Sequence, residues 1–320
     1  MKKDVILGID IGGTNIDYGF VNNKGEILFR SHMKMKDFEK IEDFIDILYP
    51  KTISQIKQNG FELKGIGIGA PNSNYYHGTI EYAPNLTWKG IVPAVALFKE
   101  KFNVPVFLTN DANAATIGEM IFGGAKGIKD FIYITLGTGV GSGIVVNGQL
   151  VYGHDGFAGE IGHFTALENG RLCGCGRRGC LETYSSVTGL RKSVDLLKND
   201  YPNSKIGNID FERLTGKMIH DAAETGDELA LKAFDIAAEN LGKVLANVVT
   251  VTSPKAIFLF GGLANAENLI FDKIKNYMEN NLLFIFKNKV KIMPSKIKGN
   301  EAAIKGAAAL AWNEINQKHN

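Results

Sequence analysis

The sequence predicts an α/β protein made of two related halves, and two observations carry that expectation. An apolar strand, a glycine-rich turn and a second strand occur twice, once over residues 5–21 around Gly12-Gly13-Thr14 and again over 131–147 around Gly137-Thr138-Gly139. The two copies align at a constant offset of 124, which matches Gly13 with Gly137, Thr14 with Thr138, Gly19 with Gly143 and Asn23 with Asn147. A further apolar strand ending in a small-residue turn follows in each half, at 65–71 and 257–262, each after a helical stretch. Repetition on this scale implies one βββαβα-like plan used twice, with a cleft between two related domains.

Taken in order, residues 5–9 form an apolar strand that meets Asp10, and the chain resumes as strands at 16–21 and 26–30. The DIGGT stretch is therefore a hairpin turn. Its glycines expose N–H groups, Thr14 adds a hydroxyl, and Asp10 stands at a strand end. Such a turn can cradle a phosphate while the carboxylate orients a hydrated Mg²⁺. Alone, the same residues equally suit a hairpin without function; the recurrence at 137–139 strengthens the phosphate reading.

Residues 36–58 carry Phe38, Ile41, Phe44, Ile45, Leu48 and Ile53 near helical spacing, and 90–102 reads as a second helix. A strand at 104–108 then delivers Asn110-Asp111, and a helix is expected at 112–122. Asp111 thus falls between a strand's C-terminal end and a helix N-terminus, where α/β folds place active groups. A helix cap is the competing use of the pair. Helices are expected at 186–199, 228–249 and 302–315, and a strand and turn at 255–262.

Residues 160–182, EIGHFTALENGRLCGCGRRGCLE, hold all three cysteines of the chain, Cys173, Cys175 and Cys180, with His163 ten residues before the first. Three sulfurs and an imidazole make a full tetrahedral set for Zn²⁺, with no open position for a reacting water, so a structural site is expected. Reduced thiols without metal are the plainer reading. A disulfide fits less well, because the count is odd and the three lie close together.

Composition bounds the function. With 36 basic and 34 acidic residues the formal charge is +2, without the basic footprint of a nucleic-acid binder. The 37 glycines exceed the ~7% average and cluster at strands and turns, which suggests backbone approaching a ligand. No signal peptide or membrane-spanning run is visible, and metal-binding thiols fit a reducing cytoplasm.

DIGGT, Asn110-Asp111, LGTGVGSG, Glu160-Ile-Gly-His163 and CGCGRRGCLE together resemble the ROK family of sugar kinases and repressors, and are most similar to its ATP-dependent bacterial glucokinases. The resemblance covers essentially the whole chain. It implies a two-domain actin-like ATPase (ribonuclease H-like) fold with a structural zinc loop. A small domain at 1–115 would be completed by a C-terminal helix at 302–320, and a larger domain at 116–301 would bear the loop at 160–182. It also implies a homodimer or homotetramer. Asp111 would be the catalytic base. Asn110, Asp111, Glu160, His163 and Glu182 would bind sugar hydroxyls. Asp10, Gly12, Gly13, Thr14, Asn15, Gly137, Thr138 and Gly139 would serve ATP and its Mg²⁺, and Gly261-Gly262 the adenosine side. His163 would hold zinc through one nitrogen and face the sugar through the other.

Two departures stand out. Many relatives carry lysine where this chain has Asn15, so only a main-chain phosphate contact is expected there. Pro71-Asn72 replaces a usual Pro-Gly; asparagine tolerates positive φ, so the turn should persist while the side chain narrows the space near the sugar. The expected reaction is ATP-dependent phosphorylation of a hexose at its 6-hydroxyl, glucose first. N-acetylglucosamine, N-acetylmannosamine, fructose or allose are alternative acceptors. A sugar-sensing repressor is the rival class; it needs a DNA-binding module ahead of the first hairpin, where Asp10 leaves no room.

Overall fold

The computed structural model describes residues 2–297, 299 and 301–317. The first half runs β1 (Lys3–Ile11), β2 (Asn15–Val21), β3 (Ile27–Lys34), α1 (Ile41–Asn59) and β4 (Phe61–Gly69). A small sheet of β5 (Ser73–Asn74), β6 (Thr79–Glu81) and β7 (Ile91–Val92) follows, then α2 (Ala94–Phe102), β8 (Val106–Thr109) and α3 (Asp111–Phe122). The second half runs β9 (Phe131–Leu136), β10 (Val140–Val146), β11 (Gln149–Leu150), α4 (Glu182–Ser185), α5 (Val187–Leu197), α6 (Gly216–Glu224) and α7 (Glu228–Thr252). It continues with β12 (Ala256–Phe260), α8 (Glu267–Asn281) and β13 (Lys291–Pro294), and α9 (Glu301–Gln317) closes the chain.

The repeat read in the sequence is a repeat of topology. The two five-stranded sheets have orders β3-β2-β1-β4-β8 and β11-β10-β9-β12-β13, the same order strand for strand. In each, the first two strands form an antiparallel hairpin and the later strands add in parallel to the first. The hairpins differ by one residue. Ile11 pairs with Ile16 across four turn residues, but Leu136 pairs with Val140 across three. The offset of 124 therefore holds for the second strand and slips by one in the first.

The chain forms two compact units, one of Met1–Ile128, Leu150–Ala158 and Lys296–Asn320, the other of Lys129–Gln149 and Gly159–Ser295. The division expected at 115/116 would cut α3 in half. Ile117 on that helix packs with Ala309 and Leu310 of α9, which keeps the whole helix with the first unit. Residues 318–320 of the expected terminal helix lie outside the described residues. Each unit has its own apolar core, from Leu7, Ile9, Phe44, Ile68 and Phe98 in the first and Ile132, Ile134, Phe234, Leu241 and Ile257 in the second.

Several element ends differ from expectation for local reasons. The helix expected from 36 starts at Ile41, where the Asp43 carboxylate accepts the Lys40 N–H at 3.2 Å. The helix expected from 90 starts at Ala94, because Ile91 and Val92 pair with β6 and Pro93 stands at the cap. The third strand extends to Lys34, held by pairing with Asn15. Helices α6 and α8 and the small sheet were not expected. Among the described residues no helix is long and apolar enough to cross a membrane.

The glycine-rich strands need a correction. The sequence suggested backbone approaching a ligand, but at Gly8 and Gly67 the neighbour is α9. A Cβ at Gly67 would run into the carbonyl of Ala307, and one at Gly8 into that of Ile304. Strand glycines let the alanine-faced helix lie directly on the sheet, as expected where another backbone approaches closely. Gly67→Ala should therefore lower the free energy of unfolding by about 3 kcal/mol in denaturant titration, the upper part of the usual range for overpacking. Gly60→Ala, with open space and only positive φ to strain it, should cost about 1 kcal/mol.

Candidate active site

In the first unit, parallel pairing sets the site. Asp10 near the end of β1 pairs with Gly69 of β4, and Gly69 pairs with Thr109 of β8, so three strand ends lie side by side. Asn110 caps α3, its Oδ1 accepting the Asn113 N–H at 2.6 Å. That leaves Asp111, the first helical residue, with one oxygen on the Ala112 N–H at 2.8 Å. The cap and the candidate base are thus separate residues. A Cβ placed on Gly69 would lie 3.8 Å from both Asp10 Oδ1 and Asp111 Cα, which measures how closely the two acids flank it.

Burial, then the Asp111 charge, then Asp17 push the Asp10 carboxyl up to about 7. Burial also raises Asp111, against the N–H of Ala112 and its own. Protein surrounds the Asp111 carboxylate and disfavours its charge, although the side chain itself reaches solvent. Two neighbouring acids that resist ionisation together suit a site that receives a cation and a proton. Because Asp10 is raised in the fold, its contribution to stability is full below about pH 4 and is lost as pH rises to about 7. Asp10→Asn should abolish that loss. The ligand-free variant should gain on wild type across this window, by about 2 kcal/mol at pH 8 once partial exposure is allowed for. Melting curves from pH 4 to 8 check the trend, and a constant difference would refute it.

The two glycine turns are similar, the first exposed from Gly13 to Asn15, the second exposed at Thr138 and half-buried at Gly137 and Gly139. Gly12 N–H closes the first onto Asn15 O at 2.9 Å, and Gly137 N–H closes the second onto Gly139 O at 3.0 Å. Among the described residues the N–H groups of Gly13, Thr14, Thr138 and Gly139 take no partner. Asn15 is uncharged, but its cross-strand partner is Lys34. Asn72 adopts φ 50°, the left-handed geometry expected of it, and its Nδ2 lies 3.5 Å from the Tyr82 carbonyl.

In the second unit, one ligand atom each from His163, Cys173, Cys175 and Cys180 lies within 4.8 Å of the others. His163 Nδ1 is 3.7 Å from Cys173 Sγ, and Cys175 Sγ is 3.7 Å from Cys180 Sγ. A tetrahedral metal with sulfur arms of about 2.3 Å has edges of about 3.8 Å, so the spacing fits Zn²⁺ and no disulfide. Burial raises Cys173, and burial with the neighbouring thiols pushes Cys180 up to about 12. At Cys175 burial is outweighed by the Arg177 N–H and the other two sulfurs, which hold it low. With Nδ1 turned to the sulfurs, His163 keeps Nε2 for another partner. Glu182 joins this loop to the second turn: one oxygen accepts the Val140 N–H at 3.1 Å and the other lies 3.7 Å from Cys173 Sγ. Glu160 is exposed just ahead of the short turn that carries His163.

The same unit holds a cavity of about 430 Å³ lined by Val187, Lys217, His220, Phe234, Gly262 and Asn265, among others. Val187 N–H donates to Gly137 O and the Thr188 hydroxyl to Thr138 O, both at 2.9 Å, so α5 is fixed against the turn at residues 137–139 and the cavity lies next to it. Gly261, at φ 107°, passes close to the Leu136 carbonyl. Of the expected Gly261-Gly262 pair only Gly262 lines this cavity, and Val187, Lys217, His220 and Asn265 were not expected there. Their one local signal is the Thr215 cap of α6, which accepts the Met218 N–H.

The sequence pattern of the ROK family matches residues 6–314. The chain belongs to the ROK family. Among its ROK relatives, a glucokinase from Halalkalibacterium halodurans is 35% identical over 285 residues, covering 85% of this chain and 84% of its own. A xylose repressor from Caldicellulosiruptor bescii is 32% identical, covering 98% of this chain and 80% of its own. A ROK glucokinase from Streptomyces griseus, solved with glucose and AMPPNP, superposes with a TM-score of 0.78 at 30% identity, over 96% of this chain and 99% of that one.

Proposed function

We propose that the protein phosphorylates glucose at its 6-hydroxyl with ATP. The observation that carries this reading is Asp111, a carboxylate at the start of α3 with one oxygen on the Ala112 N–H and its pKa raised by burial, in a chain that aligns along its length with ROK glucokinases. Asp111 accepts the proton of the 6-hydroxyl as that oxygen attacks the γ-phosphorus, and the bond from that phosphorus to the β,γ-bridging oxygen breaks to release ADP. Asn110, Glu160, His163 and Glu182 bind the remaining hydroxyls; a carboxylate left without its partner penalises the wrong sugar. The N–H groups of Gly13, Thr14, Thr138 and Gly139 receive phosphate oxygens, and the cavity at Gly262 takes the adenosine. Asp10 would hold the Mg²⁺ that arrives with ATP, which offsets phosphate charge. His163, Cys173, Cys175 and Cys180 would hold a structural Zn²⁺ that fixes the loop.

We assign the protein to the cytoplasm, where such thiols stay reduced, as a homodimer or homotetramer that binds neither nucleic acid nor membrane. A sugar-responsive repressor is the second reading, favoured by the Caldicellulosiruptor bescii relative. Purified protein, MgATP and a panel of hexoses in an ADP-coupled assay decide. Glucose should give the highest kcat/KM, with the N-acetylated sugars, fructose and allose well below. Asn15→Lys should lower the KM for ATP if a side-chain charge improves the first turn. ADP release with no hexose would overturn the reading, and use of polyphosphate alone would overturn the donor.

A further inference from the structure

Arg171 lies in the Cys/His loop, and its half-buried side chain reaches from the loop to two helices of the same unit. Its Nη1 donates to the Thr183 carbonyl of α4 at 2.8 Å and to the Gly189 carbonyl of α5 at 3.1 Å. Its Nη2 donates at 2.9 Å to the hydroxyl of Ser193, a buried residue further along α5. The guanidinium carbon stands 4.6 Å from the centre of the Tyr184 ring, and the Arg171 N–H donates to the Tyr184 hydroxyl at 2.8 Å. The packing is close. A Cβ at Gly170 would run into that hydroxyl, and one at Gly189 into the Thr183 carbonyl.

Each of these acceptors is neutral. A planar guanidinium can hold several fixed acceptors at once, in a geometry that an ammonium cannot reproduce. Helix α4 has only four residues, so its carbonyls are all terminal and need partners outside it. The Ser186 hydroxyl donates to the Glu182 carbonyl at 2.7 Å, and Arg171 takes the next carbonyl, that of Thr183. The backbone of Glu182 is thus held at two successive carbonyls, while its carboxylate accepts the Val140 N–H at 3.1 Å. Helix α5, the other end of the clamp, is bonded to the turn at 137–139 through Val187 and Thr188.

We infer that Arg171 is a positioning residue for Glu182: its guanidinium clamps α4 to α5 and so sets the sugar-side carboxylate against the helix bonded to the 137–139 turn. The inference rests on the kinase reading above, in which Glu182 binds a sugar hydroxyl. The clamp is separate from the Cys/His cluster, because its acceptors lie on α4 and α5 and none is His163 or a cysteine. Loosening it should therefore move Glu182 without changing metal content.

The test is a double-mutant cycle of Arg171→Lys and Glu182→Gln in the full-length protein, read by glucose titration without nucleotide. Lysine keeps the charge but not the fork, so Arg171→Lys should weaken glucose binding about tenfold. Affinity for AMPPNP should stay within about twofold, since α5 keeps its own bonds to the turn. Metal content should equal that of wild type. Because Arg171 acts through Glu182, the double variant should bind glucose no more weakly than Glu182→Gln alone. Should Arg171→Lys not fold, Ser193→Ala removes only the Nη2 acceptor and should weaken glucose binding about threefold, with AMPPNP affinity and metal content unchanged. Unchanged glucose affinity, lost metal, equal losses of glucose and AMPPNP affinity, or losses that multiply in the double variant would overturn the inference. Glucose bound by wild type but never phosphorylated would sink the kinase reading and leave the clamp standing on the binding data. Wild type that binds no glucose would sink both.

Discussion

Asp111→Asn should lower kcat for glucose phosphorylation by about 10²–10⁴-fold, while sugar affinity stays within a few-fold. Asparagine keeps the shape of the side chain and an oxygen for the Ala112 N–H at 2.8 Å, so the start of α3 should survive. What it loses is a basic oxygen. Because Asn110 alone caps the helix, the stability cost should be small, and a far-UV spectrum with a melting curve separates misfolding from lost chemistry. Wild-type kcat/KM should fall on the acid side at a pH above the ordinary aspartate value, because burial raises Asp111 and Asp10 titrates beside it. The two acids will report as a pair rather than as separate groups. Near-wild-type kcat in the folded variant would remove Asp111 from the role of base.

Cys175→Ser should deplete zinc, loosen residues 160–182 and weaken sugar affinity together. A structural zinc contributes on the order of 10 kcal/mol to its local fold, by analogy with zinc-finger peptides. Here the loss would reach Glu182, which ties Cys173 to the Val140 N–H, and His163, whose ring is oriented through Nδ1. Nucleotide affinity should change less, since the N–H groups of Gly13, Thr14 and Thr138 lie outside the loop. Metal analysis of wild type and variant, with separate sugar and nucleotide titrations, checks this. Metal-free wild-type protein, or full sugar affinity in a zinc-free variant, would end the idea that metal holds the sugar ligands in place.

Much of this is legible in the sequence alone, and for identifiable reasons. The hairpin repeat could be read because strand, glycine turn and strand are local patterns, and they recur at one offset. The Cys/His cluster could be read because its four residues lie close in sequence and few residue types bind zinc. Asn110-Asp111 could be placed at a strand-to-helix junction by periodicity alone, but not told apart from a cap. The structure separates the two, with Asn110 bonded to the Asn113 N–H and Asp111 left over.

What the sequence by itself determined is the plan: two related α/β halves, a glycine-rich hairpin turn in each, and a Cys/His loop flanked by glutamates. Each follows from short-range spacing, and local backbone preference largely decides it. Tertiary structure alone decided which unit residues 116–128 join, that Gly8 and Gly67 admit α9 rather than a ligand, and that Val187, Lys217 and His220 line one cavity. The physical reason is common to all of them. These contacts join residues far apart in sequence, and packing geometry selects them from many pairings that local propensity leaves equally open.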